Sequence, residues 1–262
     1  MDNIVKETIL KTVEKILPSK KKTKYSNEQY LDDIFYMFTY SYKWAGIKGI
    51  RKNVPENYHK TVNKKFIEWS RAGIFMKAHE KIVHEKAIMH NTIHTTLDLI
   101  IDSTEISNKK GCELAKYGKN KKKKVTKISC IYSPTHDLVY DIRAFPGNVH
   151  DVNTLDHSIE SVIQKTNYRK INLIGDKGYI SKKRKAKLAE RNISLIYPNK
   201  TNMKNKNTCH DKEKLSIRHG VERLFAKIKS YVRITLRYDR LVETYMSMWY
   251  IGLMTYITMP TS

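Results

Sequence analysis

LDLIIDST at residues 97–104 and KINLIGDKGY at residues 170–179 decide the fold. Each is an apolar run of strand length closed by a carboxylate, Asp102 in the first and Asp176 in the second. Such runs, bounded by polar residues, read as strands buried on both faces. Two more β-rich stretches, 125–132 and 138–145, flank Ser133-Pro134-Thr135-His136-Asp137, a turn signal. A helix is expected over about 149–166, a short and very basic one over 181–191, and a fifth strand over 193–197, stopped by Pro198. One long helix is expected over 211–231, and an uncharged helix closes the chain. Three strands in a meander, then strands alternating with helices, predict an α/β domain with a mixed sheet covered by helices.

The residues before this stretch follow a different pattern. A short helix is expected over 3–16, and a lysine-rich loop at Lys20–Lys22 and Lys24 breaks the chain after it. Ser26 with Gln29 fits a capping box, and Tyr30, Leu31, Ile34, Phe35 and Phe38 recur at helical spacing. Further helices are expected over 58–71, with Val62, Phe66 and Trp69 on one stripe, and over 74–90. Residues 1–95 therefore read as a small all-helical domain and 96–262 as the α/β domain. No Gly/Ser-rich or Pro-rich linker divides them, and no internal repeat is visible.

Charge narrows the partners. Fifty Lys+Arg against 26 Asp+Glu give a formal net charge of +24, with +7 on residues 1–100 and +17 on the rest. A chain this cationic calls for a polyanion, either nucleic acid or an anionic membrane. The aromatic content of 10% excludes global disorder. Three cysteines, Cys112, Cys130 and Cys209, without a Cys-x-x-Cys pair, argue against a disulfide framework and a closed zinc site. The longest uncharged run, TYMSMWYIGLMTYITM between Glu243 and Pro260, is short for a membrane span and reads as a buried helix. With no secretory signal visible, the expectation is a soluble intracellular protein with no membrane partner.

In open α/β sheets, ligands gather at the carboxyl ends of strands. An Asp there often only caps the next loop. Two in one sheet, in a chain with a polyanionic partner, point further: carboxylates repel phosphates unless a cation stands between them, and Mg²⁺ takes one or two carboxylates plus substrate phosphate. For a third carboxylate, KLSIRHGVERLFAKIK at 214–229 places Arg218, Glu222 and Lys229 within about 40° of one another on a helix. On spacing alone, an ordinary i,i+4 Arg–Glu pair on a solvated face is the simpler account. Asp211 and Glu213 are rivals, but capping explains acids at a helix start.

Other basic clusters offer phosphate contacts. Lys119 and Lys121–Lys124, with Lys121, Lys122 and Lys123 at the centre, follow the strand that carries Asp102 and read first as a phosphate clamp. Lys182, Lys183, Arg184 and Lys187 line DNA or a solvated helix face equally well. Lys60, Asn63, Lys64 and Lys65 surround an apolar stripe and have the placement of a helix-turn-helix reading a major groove. His79-Glu80 begins like a zinc-protease helix, but His84 is five residues from His79, so the imidazoles do not share a face. His90 and His94 have the right spacing and lack the Glu.

The motifs taken together, IDST at 101–104, GNVHD at 147–151, IGDKGY at 174–179 and Arg218-x₃-Glu222-x₆-Lys229, resemble the DDE transposases of bacterial insertion sequences, the group of insertion sequences four and five. Each motif alone is a weak signal; the four in order, on the expected elements, are specific. The similarity spans about 97–257 and extends more weakly to WAGIKGI and TVNKKFIEWSRAGIF, at 44–50 and 61–75, which are similar to the family's DNA-end-binding helices. It implies an RNase H-like core with Asp102, Asp176 and Glu222 as the triad, Arg218 and Lys229 as flanking basic residues, and two Mg²⁺ or Mn²⁺ ions, with Asp102 bridging both. The implied reaction is strand cleavage at element ends and transfer to target DNA, by a homodimer acting on two ends. The host would decide between cytoplasm or nucleoid and nucleus. Where a related branch has Tyr three residues before the Arg, this chain has Leu215. His150-Asp151 matches a family motif for which the residues alone suggest no role. The alternatives are a domesticated nuclease that no longer transposes and a non-catalytic DNA-binding descendant; retention of all three carboxylates favours an enzyme.

Overall fold

Leu97, Leu99, Ile100 and Ile101 are buried, as are Ile171, Leu173 and Ile174, and these two runs form the centre of a six-stranded sheet. The computed structural model describes residues 2–18, 24–40, 43–49, 54–90, 96–108, 111–118, 123–166, 168–199 and 207–258. The strands are β1 (Thr96–Ser107), β2 (Lys116–Tyr117), β3 (Lys124–Ser133), β4 (Leu138–Pro146), β5 (Lys170–Ile174) and β6 (Ile193–Ile196). Their order is β2-β3-β1-β5-β6, with β4 pairing the remainder of β3. β5 runs parallel to both β1 and β6, while β2 and β4 are antiparallel to β3. The sheet is therefore mixed and flanked by helices, an arrangement consistent with an RNase H-like fold.

The helices are α1 (Asn3–Ile16), α2 (Asn27–Tyr40), α3 (Tyr58–Arg71), α4 (Ile74–His90), α5 (Asp151–Lys165), α6 (Lys182–Ala189), α7 (Cys209–Ser216), α8 (His219–Lys229), α9 (Val232–Thr235) and α10 (Val242–Ile257). Contacts divide the chain into two compact units. The first gathers Met1–Ile82, Ser107–Glu113 and Lys227–Ser262; the second holds Val83–Ile106 and Leu114–Ala226. In the first unit, Phe38, Phe66, Trp69, Phe75 and Trp249 are buried, and α10 packs on α3. Gly252 of α10 faces α2 and α9, where a Cβ would lie 3.2 Å from Ile234 and 3.3 Å from the Phe38 ring. In the second unit, α5 covers β3 and β4 with Leu155, Ile159 and Val162, and α6 packs on β6.

Three expectations need correction. β1 does not stop near residue 104 but runs on to Ser107. The strand expected over 170–179 ends at Ile174, because the Asp176 side chain accepts from the Gly178 N–H and caps a single 3₁₀ turn, Lys177–Tyr179. The long helix expected over 211–231 is two pieces, α7 and α8. Thr208 and Asp211 close a reciprocal capping box that starts α7. Around Ile217 the bonds tighten to i→i−3, Arg218 N–H to Leu215 O and Gly220 N–H to Ile217 O, and α8 begins afresh. β-branched Ile217, His219 and Gly220 form a run of weak helix formers. Gly220 also lets the backbone approach Tyr132, whose ring would lie 3.2 Å from a Cβ.

The uncharged segment is the buried helix expected: ten residues of α10 are buried. Among the described residues, no helix is long and apolar enough to cross a membrane. The three cysteines are free. Lys119–Lys122, Lys20–Lys22 and His94 lie outside the described residues.

Candidate active site

Parallel pairing of β1 and β5 runs from Thr96 with Lys170 to Ile100 with Ile174. Asp102 and Asp176 each stand two residues past that last pair. Both therefore stand at the same end of adjacent parallel strands, close enough for Asp176 to push the Asp102 carboxyl up. Asp102 lies within β1 and Asp176 on the turn after β5. Gly175 between strand and turn is tightly hemmed, since a Cβ would fall 2.8 Å from the Tyr179 ring.

The Asp102 carboxylate accepts from the Ser103 N–H at 2.8 Å. Burial, above all, pushes it up to about 6; the Ser103 N–H and the Arg218 guanidinium pull it back, while Asp176 and Asp151 push it higher. An acid held in this way gains from any cation that approaches.

Glu222 is on the first turn of α8 and 49% exposed. Its two oxygens meet Arg218 at 2.9 Å and the His219 ring at 3.4 Å. Arg218 reaches the other way to Asp102 at 3.6 Å. One guanidinium thus joins the first and third carboxylates, and the i,i+4 pair read from the sequence is real but not merely a solvated one. Among the described residues, no three His, Cys, Asp or Glu side chains are gathered to hold one metal ion. Arg218 instead places its positive charge between Asp102 and Glu222. Asp102 and Asp176 nevertheless offer the hard oxygen donors that Mg²⁺ or Mn²⁺ prefers. The donor chemistry fits the ions, with Glu222 turned to Arg218 in this conformation.

The sequence left Asp151 without a role, and the structure places it under this site. Asp151 opens α5 and is 4% exposed. Its Oδ1 accepts from the Ser103 hydroxyl at 2.6 Å and the Lys127 ammonium at 2.7 Å. Lys127, 1% exposed on β3, also donates to Val149 O at 2.6 Å. A lysine inside a β-rich run carries no sequence mark of burial; the acid that balances it lies 24 residues away.

The basic candidates are spread over several elements. Lys60 and Lys64 are exposed on α3, Lys182 and Lys183 on the first turn of α6, and Lys123 just before β3. Lys121 and Lys122 fall outside the described residues. Lys229 ends α8 and is half-buried. Arg184 is engaged within the protein, donating to Asp156 and Asn153 and tying α6 to α5.

A search among curated proteins and one among solved structures each gave no match. The transposase DDE domain family matches residues 94–257, well over half of the chain, including β1, β5, α8 and all three candidate carboxylates. The chain belongs to the transposase DDE domain family.

Proposed function

We propose that this chain is a DNA transposase that cuts DNA at the ends of its element and joins the freed 3′-hydroxyl to target DNA. The observation that carries the reading is the placement of Asp102 and Asp176 at the same end of two paired parallel strands, with Arg218 linking Asp102 to Glu222. Asp102, Asp176 and Glu222 hold Mg²⁺ or Mn²⁺, two ions per site. Bound there, the ions supply Lewis-acid activation of the attacking oxygen and stabilise the leaving one. Arg218 serves as counter-ion to Asp102 and Glu222 in the resting protein and as a phosphate ligand on DNA, which frees Glu222. Lys229, Lys121–Lys123, Lys182 and Lys183 track the phosphate backbone. Residues 1–95, with Lys60 and Lys64 on α3, recognise the element end, and 96–262 carry the chemistry. Two copies act on two ends.

The test is nicking of a labelled element end with its own flanking DNA. Asp102→Asn, Asp176→Asn and Glu222→Gln are each expected to abolish cleavage while DNA binding persists, because each removes a charge that repels phosphate. Glu213→Gln should cut normally, and EDTA should stop the wild type. Equal cutting in EDTA refutes the metal reading. Normal cutting by Glu222→Gln with loss in Glu213→Gln reassigns the third ligand. A wild type that binds ends yet never cuts them makes the DNA-binding descendant the better reading.

A further inference from the structure

Beneath the carboxylate pair lies a second ion pair that takes no part in the proposed chemistry. Lys127 and Asp151 are 1% and 4% exposed, and their contact is 2.7 Å. Removing two charges from water is expensive, and a buried pair is often replaceable by apolar residues without loss of stability. Stability alone is therefore a weak reason for its presence. Its position offers a better one. Asp151 Oδ1 receives the hydroxyl of Ser103, whose own N–H holds the Asp102 carboxylate. Asp151 Oδ2 faces Gly178, lying 3.0 Å from where a Cβ would stand. The Gly178 N–H in turn holds Asp176 at 2.7 Å. One side chain is thus wedged between the residue after Asp102 and the turn that orients Asp176. It is fixed there by an ammonium that is itself anchored to Val149 O.

We infer that the Lys127–Asp151 pair is a positioning device that sets the spacing of Asp102 and Asp176. Lys127 has two effects. It locks Asp151 in one place, and it neutralises a third acid beside two others, so that Asp151 acts as a spacer and not as a further ligand. Asp151 is a positioning residue because its links toward the candidate metal oxygens run through Ser103 and Gly178. The inference rests on the metal reading of Asp102 and Asp176.

The test measures Mn²⁺ binding to the full-length chain without DNA, by calorimetry or electron paramagnetic resonance, beside thermal unfolding of the same samples. Asp151→Asn keeps an acceptor for Ser103 but weakens the hold of Lys127; Mn²⁺ affinity should fall about tenfold or more, as for other outer partners of metal ligands. The double variant Lys127→Met/Asp151→Asn removes both buried charges, so its melting temperature should return toward wild type while Mn²⁺ affinity stays low. A purely structural pair predicts that affinity recovers with stability, and that result overturns the inference. Affinity within twofold of wild type in folded Asp151→Asn overturns it as well. Loss as complete as in Asp102→Asn would make Asp151 a ligand and also refute the spacer role. If the wild type itself binds no Mn²⁺, neither alone nor with element-end DNA added to free Glu222, the metal reading falls, and the inference with it; the two failures are told apart by that wild-type control.

Discussion

Asp102 carries an electrostatic penalty whose sign can be worked out. Its carboxyl is raised to about 6, chiefly by burial, so between about pH 4 and pH 6 the folded protein keeps a proton that the unfolded chain has released. Stability of the metal-free protein should therefore fall as pH rises through that window, by on the order of 2–3 kcal/mol from this group. Asp102→Asn should lack that component: its gain over wild type in urea unfolding should be larger at pH 7 than at pH 4. An equal difference at both pH values would refute the penalty. Gly178 offers a second test. An added methyl would lie 2.8 Å from Asp176 Oδ1, closer than real Cβ contacts come, and 3.0 Å from Asp151 Oδ2, tighter than most. Gly178→Ala is expected to displace both carboxylates, costing about 1–3 kcal/mol of stability and at least tenfold in cleavage. Wild-type cleavage with wild-type stability would show that the turn has slack.

At the scale of elements, the capping box of α7 separates scaffold from chemistry. Thr208→Ala removes the acceptor for the Asp211 N–H and should lower stability by about 1 kcal/mol in chemical denaturation without changing Mn²⁺ binding. A matching loss of metal affinity would mean that α7 helps to hold the site. The same helices show what the sequence made legible. The apolar runs around Leu99 and Leu173 gave away the sheet, because strands buried on both faces leave a continuous apolar signature. Ser26 with Gln29 announced the start of α2, where the Ser26 hydroxyl accepts from the Gln29 N–H, whereas the Thr208 cap of α7 emerged only from the structure. The break at Ile217 left a local mark in the weak helix formers Ile217, His219 and Gly220, but the close approach of Gly220 to Tyr132, a residue distant in sequence, did not. Asp102 and Asp176 could be picked out as acids on apolar runs, but their placement at one end of neighbouring strands depends on strand pairing, and pairing is a property of both strands. Lys127 was invisible for a related reason. Its burial follows from Asp151 and Val149, and nothing in residues 124–133 marks it.

For the whole molecule, a net charge of +24 should make DNA affinity strongly dependent on salt. If on the order of six phosphates are neutralised, log K should fall against log salt with a slope of about −5. Fluorescence anisotropy across salt measures it, and a slope near zero would refute the phosphate contacts assigned above. The division into units bears on how the protein is made. The unit that holds the N-terminal helices also contains Lys227–Ser262, with Gly252 of α10 seated near Phe38 and Ile234. On the ribosome, α1 to α3 emerge long before α10, and their apolar faces must wait for it through synthesis of the entire sheet. A fragment ending at residue 95 should therefore be recovered aggregated or unfolded, and a well-dispersed amide spectrum from it would contradict this. A prematurely terminated copy is thus no rival for DNA ends: any product whose helical unit is folded has already been translated through the sheet that carries Asp102 and Asp176.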